Sequence, residues 1–374
     1  VAPKPSLDLL RSLTDEHVLL ALMEHPRLTR AELAARTGIS KPTVSESVRR
    51  LSAAGLVVDT GERTTGRGRI GSYYGLSEHT GCALVVDVAP GGIVAETVDA
   101  HGRVLARTSD PVGRPARPDE VARTLRTAAR AVAERTTRRI RLAVVSAADP
   151  VDRASGRLVH LPDAPFLLGE LSPPDVLADL VDGPVLVDND VNWAARAERS
   201  AGEPPADDFA YLHLGEGLGC AVVADGEVRR GHGGLVGEIA HLLTVGPDGR
   251  AVPLTEVLAT LGLHRPGGTA VDVDALRAAV VRDSGVATAL ARAVGGVLAA
   301  LVALADPAVV VVGGAWGRDP RVLDAVVAES RHLTRRVPVR AARLTDDAPM
   351  TGARRHALDG LRAAITDSVR STAG

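Results

Sequence analysis

The feature that constrains this chain most is a change of hydrophobic period near Leu76. Before it, between Thr14 and Leu56, three short helical patterns follow one another with tight punctuation. "TDEHVLLALMEHP" carries Val18, Leu19, Leu22 and Met23 on one face and stops before Pro26. The second pattern opens on a capping box, Thr29 with Glu32, and ends near Gly38. The third starts with Ser40 as N-cap, tolerates Pro42 in its first turn and ends at Gly55. Val44, Val48 and Leu51 face inward. That leaves Lys41, Thr43, Ser45, Glu46, Arg49 and Arg50 outward which, with Pro42, make a short polar and basic face suited to a major groove.

Behind this face, "LVVDTGERTTGRGRIGSYYGL" reads as two strands around a glycine and arginine turn, a wing. From Lys41 to Arg69 there are six basic residues against three acidic ones. Arg67 and Arg69, set among Gly66, Gly68 and Gly71, suit a narrow minor groove, whose negative potential favours arginine. Residues 1–80 are therefore expected to be a winged helix-turn-helix binding double-stranded DNA. A packing or protein-binding module with merely solvated charges is the bland alternative.

Composition narrows the partners. The 374 residues exceed what one core usually serves, so two or more domains are expected. With 44 basic against 46 acidic side chains there is no global field, and any nucleic-acid site must be local. Cys82 and Cys220 stand alone, in no pattern for a disulfide framework or a cysteine-built zinc site, which suits a reducing cytoplasm. No run of eighteen uninterrupted apolar residues is present, and the expectation is a soluble, cytoplasmic chain without a membrane partner.

After Leu76 the pattern becomes strands and hairpins. "CALVVDVA", "GIVAETVDA" and "RVLARTS" predict an antiparallel meander of three. A helix from Pro118 to Arg135, the buried strand "RLAVVSAA", the strand "PVLVDND" and the helix "VNWAARAERSAG" follow. The scheme then restarts at "FAYLHLGEGLGCAVVADGEVRRG" and reaches a second buried strand, "PAVVVVGGAWG". Two such halves imply duplicated lobes with a cleft between them. A doubly wound nucleotide fold is the competing architecture, but no GxGxxG follows the first strand.

Four segments in this order resemble the ROK family of repressors, open reading frames and sugar kinases. They are "SKPTVSESVRRLSAAGLV", "VDNDVNWAARAE" at 187–198, "GEGLGCAVVADGEVRRGHGGLVGEIAH" at 215–241 and "DPAVVVVGG" at 306–314. The resemblance implies an α/β chain in which residues 81–374 form a two-lobed, actin-like ATPase (ribonuclease H-like) ROK domain. One lobe would hold about 81–200 plus the C-terminal helix, the other 205–345. By position, Asn189 and Asp190 resemble the family's sugar-binding pair, Asp190 being the base of its kinases. Glu238 and His241 fall on its GE-x-x-H segment, and Glu256 is nearest to a further sugar-binding glutamate. Read without the family, Asp190 could simply cap its helix, and Glu238 and His241 satisfy one another.

Three departures set this chain apart from kinases of the family. The first phosphate loop keeps Asp87 but loses its glycine and threonine. The second, Gly215-Glu216-Gly217, puts a carboxylate where a hydroxyl would meet a triphosphate, while Gly313 and Gly314 remain. The cysteines that would hold zinc beside His241 are absent, so no metal and no ATP cofactor are expected. The implied function is a sugar-responsive regulator, read as a repressor that is no longer an enzyme. It would bind operator DNA as a homodimer, or else a tetramer, and take a sugar or sugar phosphate as effector. An active sugar kinase, and a regulator that answers to a protein partner, are the rivals.

Overall fold

The computed structural model describes residues 7–65, 70–161, 164–202, 206–345 and 347–371. Helices Leu7–Glu24, Arg30–Thr37 and Lys41–Ala53 precede two wing strands, Val57–Arg63 and Ser72–Leu76, and the short strand Leu28–Thr29 pairs with the latter. The caps form as the residues imply. The Thr29 hydroxyl accepts from the Glu32 amide at 3.2 Å while the Glu32 carboxylate accepts from the Thr29 amide at 2.8 Å. Gly38 takes φ 72° at the end of that helix, and the Ser40 hydroxyl accepts from the Thr43 amide. The first helix begins at Leu7, seven residues earlier than its apolar pattern suggests. Arg67 and Arg69 lie outside the described residues.

Two sheets of the same order follow. In the first, Val104–Asp110, Gly92–Val98, Cys82–Ala89, Ile140–Ala147 and Val185–Asn189 lie side by side, the first three antiparallel and the last three parallel. The second repeats this with Glu227–Val228, Leu218–Ala224, Phe209–Leu214, Val309–Gly313 and Val339–Ala341. The mixed pairing displaces the doubly wound alternative, whose central strands all run parallel. Residues 82–86 are buried without alternation because both sheet faces are covered, one by helix Pro118–Ala133 and the other by helix Ala348–Ser371.

Helix Ala348–Ser371 also completes a core with the winged helix. Its Ala357, Leu361 and Ile365 belong to the same buried cluster as Leu19 and Leu22. Polar bonds fix that joint: Arg362 donates to the carbonyls of Ala100 (2.9 Å) and Met23 (3.3 Å), and Arg370 pairs with Glu16 at 2.8 Å. Helix Asp190–Ser200 lies between the lobes. Its Trp193 enters the cluster shared with helix Ala348–Ser371, whereas Val191, Ala194 and Ala195 pack on Phe209, Tyr211 and Ala221 of the second sheet.

Helix Ser284–Ala305 is long and apolar enough to cross a membrane by length and composition. Its Leu290, Val294, Val297 and Leu298 are nonetheless committed to the core of the second lobe. Cys82 and Cys220 are free thiols, pushed by burial up to about 11 and about 12, so neither is a ready nucleophile at neutral pH.

Candidate functional site

Between the lobes opens a cleft of about 610 Å³, lined among others by Asp149, Asn189, Asp190, Glu216, Glu238 and His241. Asn189 ends a strand of the first sheet and caps the interlobe helix. Its Oδ1 accepts from the Val191 amide at 3.0 Å, and its Nδ2 donates to the carbonyls of Ala147 (3.3 Å) and Asp149 (3.2 Å). Its amide is thus largely spent on tying strand, loop and helix together. Asp190 also accepts from the Val191 amide, at 2.7 Å, while still facing the cleft. Burial first, then the charges of Asp87, Asp149 and Glu238, push its carboxyl up to about 8.

Glu238 and His241 are brought to the same cleft by a glycine. Gly237 adopts φ 102°, and a β-carbon there would overlap the Cys220 carbonyl, whose own amide donates to the Gly237 carbonyl at 2.9 Å. The loop is pinned on the other side too, where the Arg153 amide donates to the Gly233 carbonyl across the cleft at 3.2 Å. No hydrogen bond joins Glu238 to His241, so the pair does not satisfy itself. Withdrawal from bulk water and the nearby Asp149 raise the Glu238 carboxyl to about 7.

Glu256 does not reach the cleft. In helix Leu254–Thr260 it is Leu254, Val257 and Leu258 that enter the core, which turns Glu256 to solvent and leaves Thr255 as the cleft-lining neighbour. Conversely, Asp149 belongs to none of the motifs read from the sequence. It sits just past strand Ile140–Ala147, 2 % exposed, and burial raises it to about 6 against the opposing pull of the Leu167 backbone and His160. An acidic residue and a proline directly after a buried strand are the trace it leaves in the sequence.

The altered phosphate loops have found internal partners. Glu216 accepts from Arg114 of the first lobe at 3.0 and 3.2 Å and from Arg265 of the second at 2.9 Å, so its charge is met by two guanidiniums across the cleft. Gly215 and Gly217 flank it in the turn, and Gly217 lines the cleft. Asp87 lies near the end of its strand, raised to about 6 chiefly by burial, with Oδ1 unpartnered. Gly313 and Gly314 pack instead against Tyr211 and the Leu214 backbone, where the fully buried Trp316 donates to the Gly215 carbonyl at 2.9 Å. Among the described residues no group of histidine, cysteine or acidic side chains is arranged to hold a metal ion.

On the winged helix, Lys41, Pro42, Thr43, Glu46 and Arg49 are exposed and Ser45 is half-exposed along one face. Glu46 engages Arg49 at 2.6 Å. Arg50 is turned inward: its side chain is 26 % exposed and forks onto Asp15, itself 7 % exposed, at 2.6 and 3.1 Å. Its guanidinium is therefore taken up within the head.

Comparison with known proteins agrees with this architecture. Residues 84–254 match the ROK family, and residues 13–68 match the MarR family. A bifunctional enzyme NanE/NanK of Brucella suis is 30% identical over 182 residues, 45% of this chain and 34% of that protein. The chain thus spans about a third of that relative's length. A crystal structure of a ROK family transcriptional regulator, a homologue of the E. coli MLC protein, superposes with a TM-score of 0.64 at 19% identity, covering 96% of this chain and 99% of that one. A ROK family glucokinase from Streptomyces griseus, solved with glucose and AMPPNP, gives a TM-score of 0.57 at 25% identity over 75% of this chain and 100% of its own. The chain thus carries a ROK family domain behind a MarR-type winged helix, on an actin-like kinase fold.

Proposed function

We propose that this chain is a sequence-specific transcriptional regulator, a repressor, whose DNA binding is gated by a sugar or sugar derivative held between its lobes. One observation carries the reading: helix Ala348–Ser371 packs at once on the first helix of the head and on the interlobe helix that begins at Asp190. A ligand held by Asp190, Glu238 and His241 and drawing the lobes together would move the base on which the head stands. Coupling of about 1–3 kcal/mol would change operator occupancy several-fold or more. A homodimer would set two Lys41–Ala53 helices on a palindromic operator, and a change in their separation would be the output. ATP has no necessary part, since Glu216 already fills the reach of Arg114 and Arg265. The solved ROK regulator supports the reading because it matches head and body together.

The test is fluorescence anisotropy of the full-length protein on its own upstream DNA, at fixed salt and without ATP, titrated with free and phosphorylated sugars. A sugar that shifts DNA affinity supports gating. DNA binding indifferent to every sugar would instead favour a regulator that answers to a protein partner.

A second reading, residual sugar kinase activity, is favoured by Asp190 alone, a cleft carboxyl raised to about 8 and so suited to taking a hydroxyl proton. Transfer of phosphate from ATP to a sugar, lost in Asp190→Asn, would establish it; silence over a broad sugar panel would remove it.

A further inference from the structure

The cleft contains an acceptor that the sugar-gated reading leaves unused. Asp149 lines the cleft, is 2 % exposed, and its Oδ2 has no hydrogen-bond partner. A buried carboxyl with an empty acceptor is costly unless a donor arrives to fill it. Asn189 cannot be that donor, because its Nδ2 already serves the backbone carbonyls of Ala147 and Asp149.

The surroundings decide what kind of donor fits. Asp190 and Glu238 line the same cleft, both feel Asp149, and Asp87 acts on Asp190, so four carboxyls share this region and hold on to protons for want of a cation. From the protein side only His160 draws on Asp149, and burial outweighs it. Of the basic residues that line the cleft, Arg114 is engaged by Glu216, and the others are the imidazoles His213 and His241. His213 is held down to about 4 by burial, so it is neutral at pH 7. An anionic ligand would meet a cluster of carboxyls and, among the described lining residues, no guanidinium that is not already paired, whereas a cationic donor would meet acceptors that its own charge keeps ionised.

We propose that the ligand of this cleft carries a protonated amine placed on Asp149, which makes the effector an unphosphorylated amino sugar; this rests on the sugar-gated reading above. Asp149 is then the residue that reads the amine, while Asp190 and Glu238 take neighbouring hydroxyls.

The experiment is isothermal titration of the full-length protein at pH 7 with glucosamine, mannosamine and galactosamine, each against its neutral parent sugar, its N-acetyl derivative and its 6-phosphate. DNA binding is followed in parallel. At least one amino sugar is expected to bind about tenfold or more tighter than its three counterparts. Asp149→Asn should bring that ratio close to one while the neutral parent still binds. A neutral or N-acetyl sugar that binds wild-type protein as well as the amine does, and shifts DNA affinity, overturns the amine assignment and leaves sugar gating standing. If no sugar binds while the operator does, both fall together.

Discussion

Gly352 on the last helix lies flat against the backbone carbonyl of Trp193, so close that a β-carbon would overlap that oxygen. The Trp193 indole donates to the Val145 carbonyl at 3.1 Å, and its ring stands 5.1 Å from that of His356. Two helices pressed to backbone contact supply the mechanical link that the proposed gating requires. Gly352→Val should separate them, lowering stability by about 1–3 kcal/mol through overpacking. Any sugar effect on DNA affinity should shrink with it. Thermal denaturation and anisotropy on the same protein check the two parts, and an unchanged sugar response would place the coupling elsewhere.

The Glu216 clasp makes a weaker claim on stability. Its three side chains are between a quarter and a half exposed, so the ion pairs are screened, and Glu216→Gln should cost no more than about 1 kcal/mol at low salt. The difference should vanish in high salt. The more telling readout is affinity for inorganic phosphate, which should rise once Arg114 and Arg265 are released. A variant that is strongly destabilised and gains no anion affinity would show the clasp to be a structural pillar.

Acid in the cleft gives the stability a definite slope. Asp87 and Asp149 are raised to about 6 and Asp190 to about 8, from an ordinary value of 3.8. The folded chain therefore holds more protons than the unfolded one across this window. The stabilisation is complete below about pH 4 and is lost as pH rises through the folded values. Asp190→Asn removes one such penalty. Its melting temperature should exceed the wild type's by a margin that grows from about pH 5 to about pH 9, and a margin flat with pH would contradict the assignment.

Arg49 and Arg50 are neighbours with opposite expected phenotypes. Arg49→Ala, on the exposed face, should weaken binding to all DNA sequences and reduce the salt slope by about one phosphate contact. Arg50→Ala leaves the buried Asp15 without its guanidinium partner, so the head should lose about 1–3 kcal/mol. Melting curves and salt titrations of the two variants separate these roles.

Local punctuation made the head readable: a hydroxyl at Thr29 or Ser40, a glycine at Gly38 and apolar spacing in between are decided within a few residues. The cleft was readable where a motif fixes its own geometry, as the glycine before Glu238 does. Other parts depend on partners the sequence does not place. Arg50 finds Asp15 at a distance of 35 residues, and Glu216 finds Arg114 at 102. Glu256 shows the same limit in reverse, because the phase of helix Leu254–Thr260 is set by which side chains the second core accepts. Asp149 needed the fold itself, since only the closing of strand, loop and cleft makes its carboxyl unpartnered.

The bond from Arg362 to the Met23 carbonyl joins residues 339 positions apart. On the ribosome, the head can fold from its own early, short-range contacts long before its supporting helix is made. Through that interval the head stands without the helix that completes its core, and long-range closures of this kind are slow. Truncation or misfolding of that late helix would therefore take Ala357, Leu361 and Ile365 out of the cluster that holds Leu19 and Leu22.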